Sequence, residues 1–183
     1  MSLFRTLEWW EQSASVSSSV YDVHSLVVDS LAGEEEELMQ VVVVSMAGLV
    51  QIYQPCHRAG GESRAEDLLL EQQLSAGVLQ VDTGLFLSSQ PGKQLALLHP
   101  RQLSVYQLTR RQGSGSQGDS YVLSLAYQHQ LSRSAYTITK GPFGGVKGRD
   151  YLAVLSLDGT LSIFEQETHT FSRFLPGFLV PGS

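Results

Sequence analysis

The glycine-rich run Gly141-Pro-Phe-Gly-Gly145-Val-Lys147-Gly-Arg149 has the glycines and the lysine of a phosphate-cradling loop. That chemistry also needs a hydroxyl residue directly after the lysine, to hold the metal, and a helix beyond it, whose N-terminal N–H groups meet the phosphate. Here glycine follows Lys147 and the flanks read as strands, so the run is expected to join two strands. Lys147 and Arg149 are then a small basic contact for a partner or an acidic lipid headgroup. The five histidines, His24, His57, His99, His129 and His169, stand singly, outside the H-E-x-x-H and G-x-S-x-G patterns of hydrolases. Cys56-His57 lacks the second cysteine pair of a zinc site. Asp29, Asp82 and Asp150 are the acids a hydrolase would need to gather into one cleft, and nothing in their spacing makes them converge. No catalytic, cofactor-binding or metal-ligating residue is predicted, and no small-molecule substrate. Trp9-Trp10 is a pair of large amphipathic side chains suited to a membrane interface or, the preferred reading, to anchoring on a blade or on a partner.

Composition narrows the class further. Eighteen acidic against twelve basic residues give a net charge of −6, which repels phosphate backbones, so nucleic acid is not an expected partner. A single cysteine forms no internal disulfide, and the absence of asparagine removes any glycosylation sequon, as a cytosolic protein would have it. The N-terminal residues lack the apolar core of a secretory signal. The apolar stretch Val41 to Val44 is far short of the roughly 20 residues that a membrane helix takes.

Three stretches repeat one pattern without a gap: Ser45 to Tyr53, Leu98 to Tyr106 and Ser156 to Phe164. Ile52 to Val105 is 53 residues and Val105 to Ile163 is 58, the long end of the spacing of propeller blades. The fold class is therefore all-β, a β-propeller of about three four-stranded blades. Strands are expected near 22–30, 38–46, 49–54 and 67–74, then 77–87, 94–99, 102–109 and 121–130, then 134–142, 150–157, 160–166 and 170–175. The domain reading is a lead over 1–20, with a short helix at 3–10 and a flexible serine-rich stretch at 13–19. Blades follow at 21–75, 76–131 and 132–176, and 177–183 begins a further blade or closes the fragment. The acidic run Glu34 to Glu37 and the Gly/Ser/Gln-rich loop Arg110 to Ser120 are expected to be solvated. Asp158-Gly159 is expected to supply positive φ angles to a tight hairpin.

In each repeat the apolar residues sit two apart, as in Val50 and Ile52, and so share the strand face that meets the next blade. Tyr53, Tyr106 and Phe164 point the other way. Propellers close with about four to eight blades. Three blades make an arc with an unsatisfied apolar face at either end.

Several segments resemble one family. Met1-Ser-Leu-Phe4 with Trp9-Trp10, Ala65-Glu-Asp-Leu-Leu-Leu-Glu71, Phe143-Gly-Gly-Val-Lys-Gly-Arg-Asp150, Phe164-Glu-Gln-Glu167 and Arg173-Phe-Leu-Pro-Gly-Phe-Leu179 are similar to the parathyroid-hormone-responsive B1 family of BBSome subunits, a Bardet–Biedl syndrome protein family. The resemblance implies the opening blades of an N-terminal seven-bladed propeller and a non-enzymatic scaffold in a coat-like complex. That complex is recruited to membranes through other subunits and a small GTPase, and carries receptors into and out of cilia. It also implies the other BBSome subunits as partners, no cofactor, and residence in the cytoplasm, the cilium and its membrane, the basal body and centriolar satellites. The residues expected to meet partners are Trp9, Trp10, Lys147 and Arg149. The competing classes are a phosphoinositide-binding propeller using Arg110, Arg111, Lys140, Lys147 and Arg149, and a propeller hydrolase.

Overall fold

A computed structural model describes residues 9–12, 23–31, 38–56, 63–89, 92–111 and 120–177. Among these residues twelve strands form three antiparallel four-stranded sheets in strict chain order. The first holds β1 (Val23–Asp29), β2 (Gln40–Ser45), β3 (Leu49–Tyr53) and β4 (Leu68–Gln73). The second holds β5 (Gln80–Gly84), β6 (Gln94–His99), β7 (Gln102–Arg111) and β8 (Ser120–Gln130). The third holds β9 (Ala135–Gly141), β10 (Tyr151–Ser156), β11 (Thr160–Glu165) and β12 (Thr168–Phe174). Every expected strand is present within a few residues of its place. The helix expected at 3–10 is not seen in its described part, since Trp9 and Trp10 are irregular and Glu11 makes an isolated bridge. The remainder of that helix, the serine-rich 13–19, the acid run 34–37 and His57 lie outside the described residues, as do 112–119 and 178–183.

The repeated pattern fixes the register within each blade. Val44 pairs Val50 and Leu155 pairs Leu161 with five residues between them, but Leu98 pairs Leu103 with four, so the turn of the second blade is one residue shorter and the gapless alignment slips by one on its second strand. Strand alternation then sends Val42, Val44, Val50 and Ile52 of the first blade into a core shared with Leu95, Leu97 and Leu108 of the second. Ala96, Leu98, Leu103 and Val105, which leave the other side of the second blade, share a core with Leu152, Val154 and Phe164 of the third. One face of each blade thus looks forward along the chain and the other looks back. Each fully buried aliphatic side chain contributes about 1.5–3 kcal/mol, so these two joints dominate the stability of the arc.

The hairpin turns depart from expectation in one respect. Gly48 and Gly159 adopt φ +90° and +84°, but Asp158 does not have positive φ. Both turns are closed by a bond from the glycine N–H to Ser45 O or Ser156 O, so a single left-handed residue ends the turn. Asp158 contributes through its side chain instead, its Oδ1 accepting the Thr160 N–H at 3.0 Å.

Candidate functional site

The first strands of successive blades lie side by side, β1 next to β5 and β5 next to β9, and carry a chain of polar locks. Asp29 ends β1 and accepts the Thr83 hydroxyl at 2.6 Å and the Lys93 ammonium. The next joint is closed by Lys140, which pairs with Asp82 at 3.1 Å and donates to the Thr83 carbonyl. Gln80 accepts the Thr137 hydroxyl at 2.8 Å and the Ile138 N–H at 2.9 Å. Asp150 and Leu85 exchange two bonds, Leu85 N–H to Asp150 Oδ2 and Asp150 N–H to Leu85 O, each 2.9 Å. The three acids of the hydrolase reading therefore do sit on or beside inner strands. Each is tied to the neighbouring blade, a structural use that leaves no facing acid and base.

Burial pushes the Asp29 carboxyl up, and its bonds to Lys93, Thr83 and Ser30 more than offset this, leaving it below the usual 3.8. A depressed folded value means that the stabilisation is present above the unfolded pKa and is lost as pH falls through the folded one. Asp29→Asn is expected to lower unfolding free energy by about 1.5–3 kcal/mol at neutral pH, the worth of bonds to a charged group. Below the usual 3.8 the two proteins should converge, as urea titrations across that range would record.

Two lined clefts stand out. One, of about 250 Å³, opens at the rim between β8 and β11–β12, where His129 and His169 flank Phe164. His129 donates Nε2–H to the Gln166 carbonyl at 2.6 Å, and His169 bonds Ser172, whose hydroxyl is shared with Ser162 at 2.7 Å. A serine beside a histidine is half a nucleophilic device, and a third group orienting the base completes it. Ser172 bonds this histidine and, in turn, Ser162, so the pair reads as rim packing. Among the described residues no three His, Cys, Asp or Glu side chains stand close enough to hold a metal ion. No helix among them is long and apolar enough to cross a membrane.

The second cleft, about 550 Å³, lies on the backward face of the first blade, over Val41, Val43 and Leu26. Trp10 edges it, its ring tilted against that of Tyr53 with centroids 5.7 Å apart and its indole N–H donating at 3.0 Å to Asp67. Asp67 is almost wholly buried and also accepts the Arg64 N–H, so Trp10 anchors the lead to its own blade. Trp9 is exposed. The loop after β9 presents Lys147 to solvent, whereas Arg149 is turned down onto Glu165 at 2.6 Å. The four residues expected to meet partners are thus not one patch: Trp9 and Trp10 belong to the first blade, Lys147 and Arg149 to the third.

What the sequence reading passed over is a second repeat, Gly84-Leu85-Phe86 and Gly141-Pro142-Phe143. In both, the ring closes over its glycine, where a Cβ would stand 2.6 Å from the Phe86 ring and 2.7 Å from the Phe143 ring. Leu31 holds the same position two residues past β1. Leu31 and Phe86 are buried plugs, 2% and 0% exposed, in the cores of the two joints, while Phe143 is 55% exposed. The forward face of the third blade, with Tyr151, Ala153 and Ile163, has no fourth sheet against it among the described residues.

Four-stranded antiparallel blades in chain order, locked through their inner strands, define the chain as part of a β-propeller. Similar folds among solved structures include BBS1N in complex with ARL6DN, soaked with lead. That likeness has a TM-score of 0.56 and 11% identity, over 91% of this chain and 45% of the other. A second crystal of that complex, soaked with mercury, gives a TM-score of 0.52 and 12% identity over 82% and 38%. The chain belongs to the PTHB1 N-terminal family, which it matches over residues 1–183. It is 43% identical over 183 residues to protein PTHB1 of Xenopus laevis and of Mus musculus, and 41% identical over 184 to that of Homo sapiens. The chain spans about a fifth of the length of these relatives, 21%, 21% and 20%.

Proposed function

We propose that this chain is a non-enzymatic structural unit of the BBSome, working as an interaction module among its other subunits. The observation that carries this is identity of 41–43% to PTHB1 proteins along the whole chain, on a fold in which Asp29, Asp82 and Asp150 serve as blade locks. Its three blades open a ring that seven blades complete. Association with membranes is indirect, through the complex and a small GTPase, in keeping with BBS1N, a protein of like fold crystallised in complex with ARL6DN. The task is traffic of membrane proteins to and from the cilium, from the cytoplasm, basal body and centriolar satellites to the ciliary membrane. Trp9, Trp10, Lys147 and Arg149 remain the proposed partner contacts, with Trp10 acting through the lead it anchors. The phosphoinositide reading is weaker because Lys140 and Arg149 already hold acids of this chain.

Affinity purification of a tagged protein carrying these residues from ciliated cells tests the proposal. Other BBSome subunits are expected in near-equal amounts. A folded, soluble bait that brings down none of them would overturn it.

A further inference from the structure

The smaller cleft, of about 250 Å³, is a wedge inside the joint between the second and third blades. One wall is the end of β8 with the loop after it, and the other is the face of the third blade that looks back at the second. Both walls belong to this chain, so its shape does not depend on the blades that complete the ring. Its polar lining is four serines, two histidines, Gln130 and Arg133, and no carboxylate is among the lining residues. A chain with eighteen acids against twelve bases has kept its acids out of this one place.

The second blade shows that the wedge is not a default of the fold. At the same positions there, Gln102 donates to Ser104 at 2.7 Å and to Gln128 at 3.1 Å, and Ser104 is fully buried. By register the third blade carries Thr160, Ser162 and Ser172 in their place, and His169 where the second has Leu125, across the same outer-strand bulge. Shorter side chains open the space, and the histidine makes it polar.

The donors outnumber the acceptors they have found. Ser162, Ser172 and His169 form a chain of two bonds, 2.7 and 2.8 Å. Two hydroxyls and a neutral imidazole carry three hydrogens, of which two bonds use two. One is left over whichever way the chain runs, on His169 Nδ1, on Ser162 or on Ser172. Arg133 pairs through Nε with Asp158 at 3.3 Å, which leaves the two Nη amines of its fork for a second acid. Opposite, His129 spends its Nε2–H on the carbonyl of Gln166, a residue held at φ +51°, and this pins its ring against Phe164. The missing component is a compact group that only accepts.

We propose that this wedge binds one phosphate monoester, the phosphorylated serine or threonine side chain of a partner protein. A phosphoryl group offers three acceptor oxygens and a charge that answers Arg133 and the leftover hydrogen together. The volume lies below the roughly 300–1,000 Å³ of sites for drug-sized ligands, so a single side chain suits it. The protein source rests on the reading of this chain as an interaction module, while the phosphate site rests on the local geometry alone.

Diethyl pyrocarbonate labelling of His169, read by mass spectrometry on the intact protein that carries these residues, tests the proposal. N-acetyl-O-phosphoserine amide is expected to protect His169 saturably, at a concentration about tenfold lower than inorganic phosphate or N-acetylglutamate amide needs. Sodium chloride of equal ionic strength should protect nothing, and added N-acetylhistidine reports the strength of the reagent. Ser172→Gln, which copies the second blade, should raise the half-protecting concentration about tenfold or more. Circular dichroism checks the fold, and Ser162→Ala replaces that variant if it loses it. Protection that never saturates, or that survives the substitution unchanged, would overturn the site. Inorganic phosphate or the carboxylate protecting as well as phosphoserine would overturn the assigned ligand. None of these results bears on co-purification with BBSome subunits, so the two readings fail separately.

Discussion

Phe86→Ala is expected to lower unfolding free energy by about 3–5 kcal/mol, while Phe143→Ala, the same residue in the same motif, costs under about 1 kcal/mol. The contrast comes from surroundings alone. Both rings fold over the glycine two residues before them, yet Phe86 is fully buried among Leu98, Val105 and Leu152 and Phe143 stands at an end of the arc. Removing a large buried ring forfeits its transfer energy and leaves a cavity that strands on both sides hold open. Removing one that is half in water forfeits little. Urea unfolding at low protein concentration, followed by tryptophan fluorescence, gives both values. Equal losses would mean that Phe143 already sits in a packed joint.

Gln94→Leu should be nearly as damaging, at about 2–5 kcal/mol, although the new side chain is apolar and of similar volume. Gln94 is fully buried at the head of β6, and its Oε1 accepts the N–H groups of Phe86 at 2.7 Å and Leu87 at 2.9 Å. Its Nε2 donates to Gly92 O at 2.8 Å. One side chain therefore satisfies three backbone groups of the connection that carries the Phe86 plug. Leucine strands all three, and each unsatisfied buried group costs about 1–3 kcal/mol before relaxation. Gln94→Glu, which keeps the acceptor, should lose less than Gln94→Leu. Gln40 does the same work in the first blade, accepting the Leu31 N–H at 2.7 Å. Because Gln94 and Phe86 act on one loop, the double variant should lose less than the sum of the two. A loss under about 0.5 kcal/mol for Gln94→Leu would show that water or a shifted backbone serves these groups equally well.

The blades were legible because their determinants are local. A tight turn such as Ser156 to Gly159, flanked by apolar residues two apart, prescribes a hairpin and the face it buries, and three copies in phase prescribe a propeller. The joints were not legible, since they depend on how one sheet is set against the next. Asp29 meets Thr83 and Lys93 across 54 and 64 residues, and Lys140 reaches Thr83 across 57, pairings that no spacing rule announces. Arg149 looked available because it lies in a glycine-rich loop, and Glu165 comes within reach only once β11 is laid beside β10. Trp10 is a similar case, with Asp67 brought to it by a turn 57 residues on. The Gly-x-Phe repeat was present in the sequence, but a motif so short acquires meaning only when the strands before it are superposed.

The central proposal is that these blades open a larger closed ring, in which both end faces of the arc are covered. Hydroxyl-radical footprinting of the protein within its purified cellular assembly tests that most directly, because Phe143, Phe171, Met39 and Leu125 are all about half-exposed in the chain alone. Phe143, Phe171 and Met39 mark the two ends, Phe171 standing opposite Ile163 on the forward face, and Leu125 lies on the outer strand of the middle blade. Strong protection of the three end residues with Leu125 still labelled is the expected result. Full labelling of all three end residues in an intact assembly would contradict it.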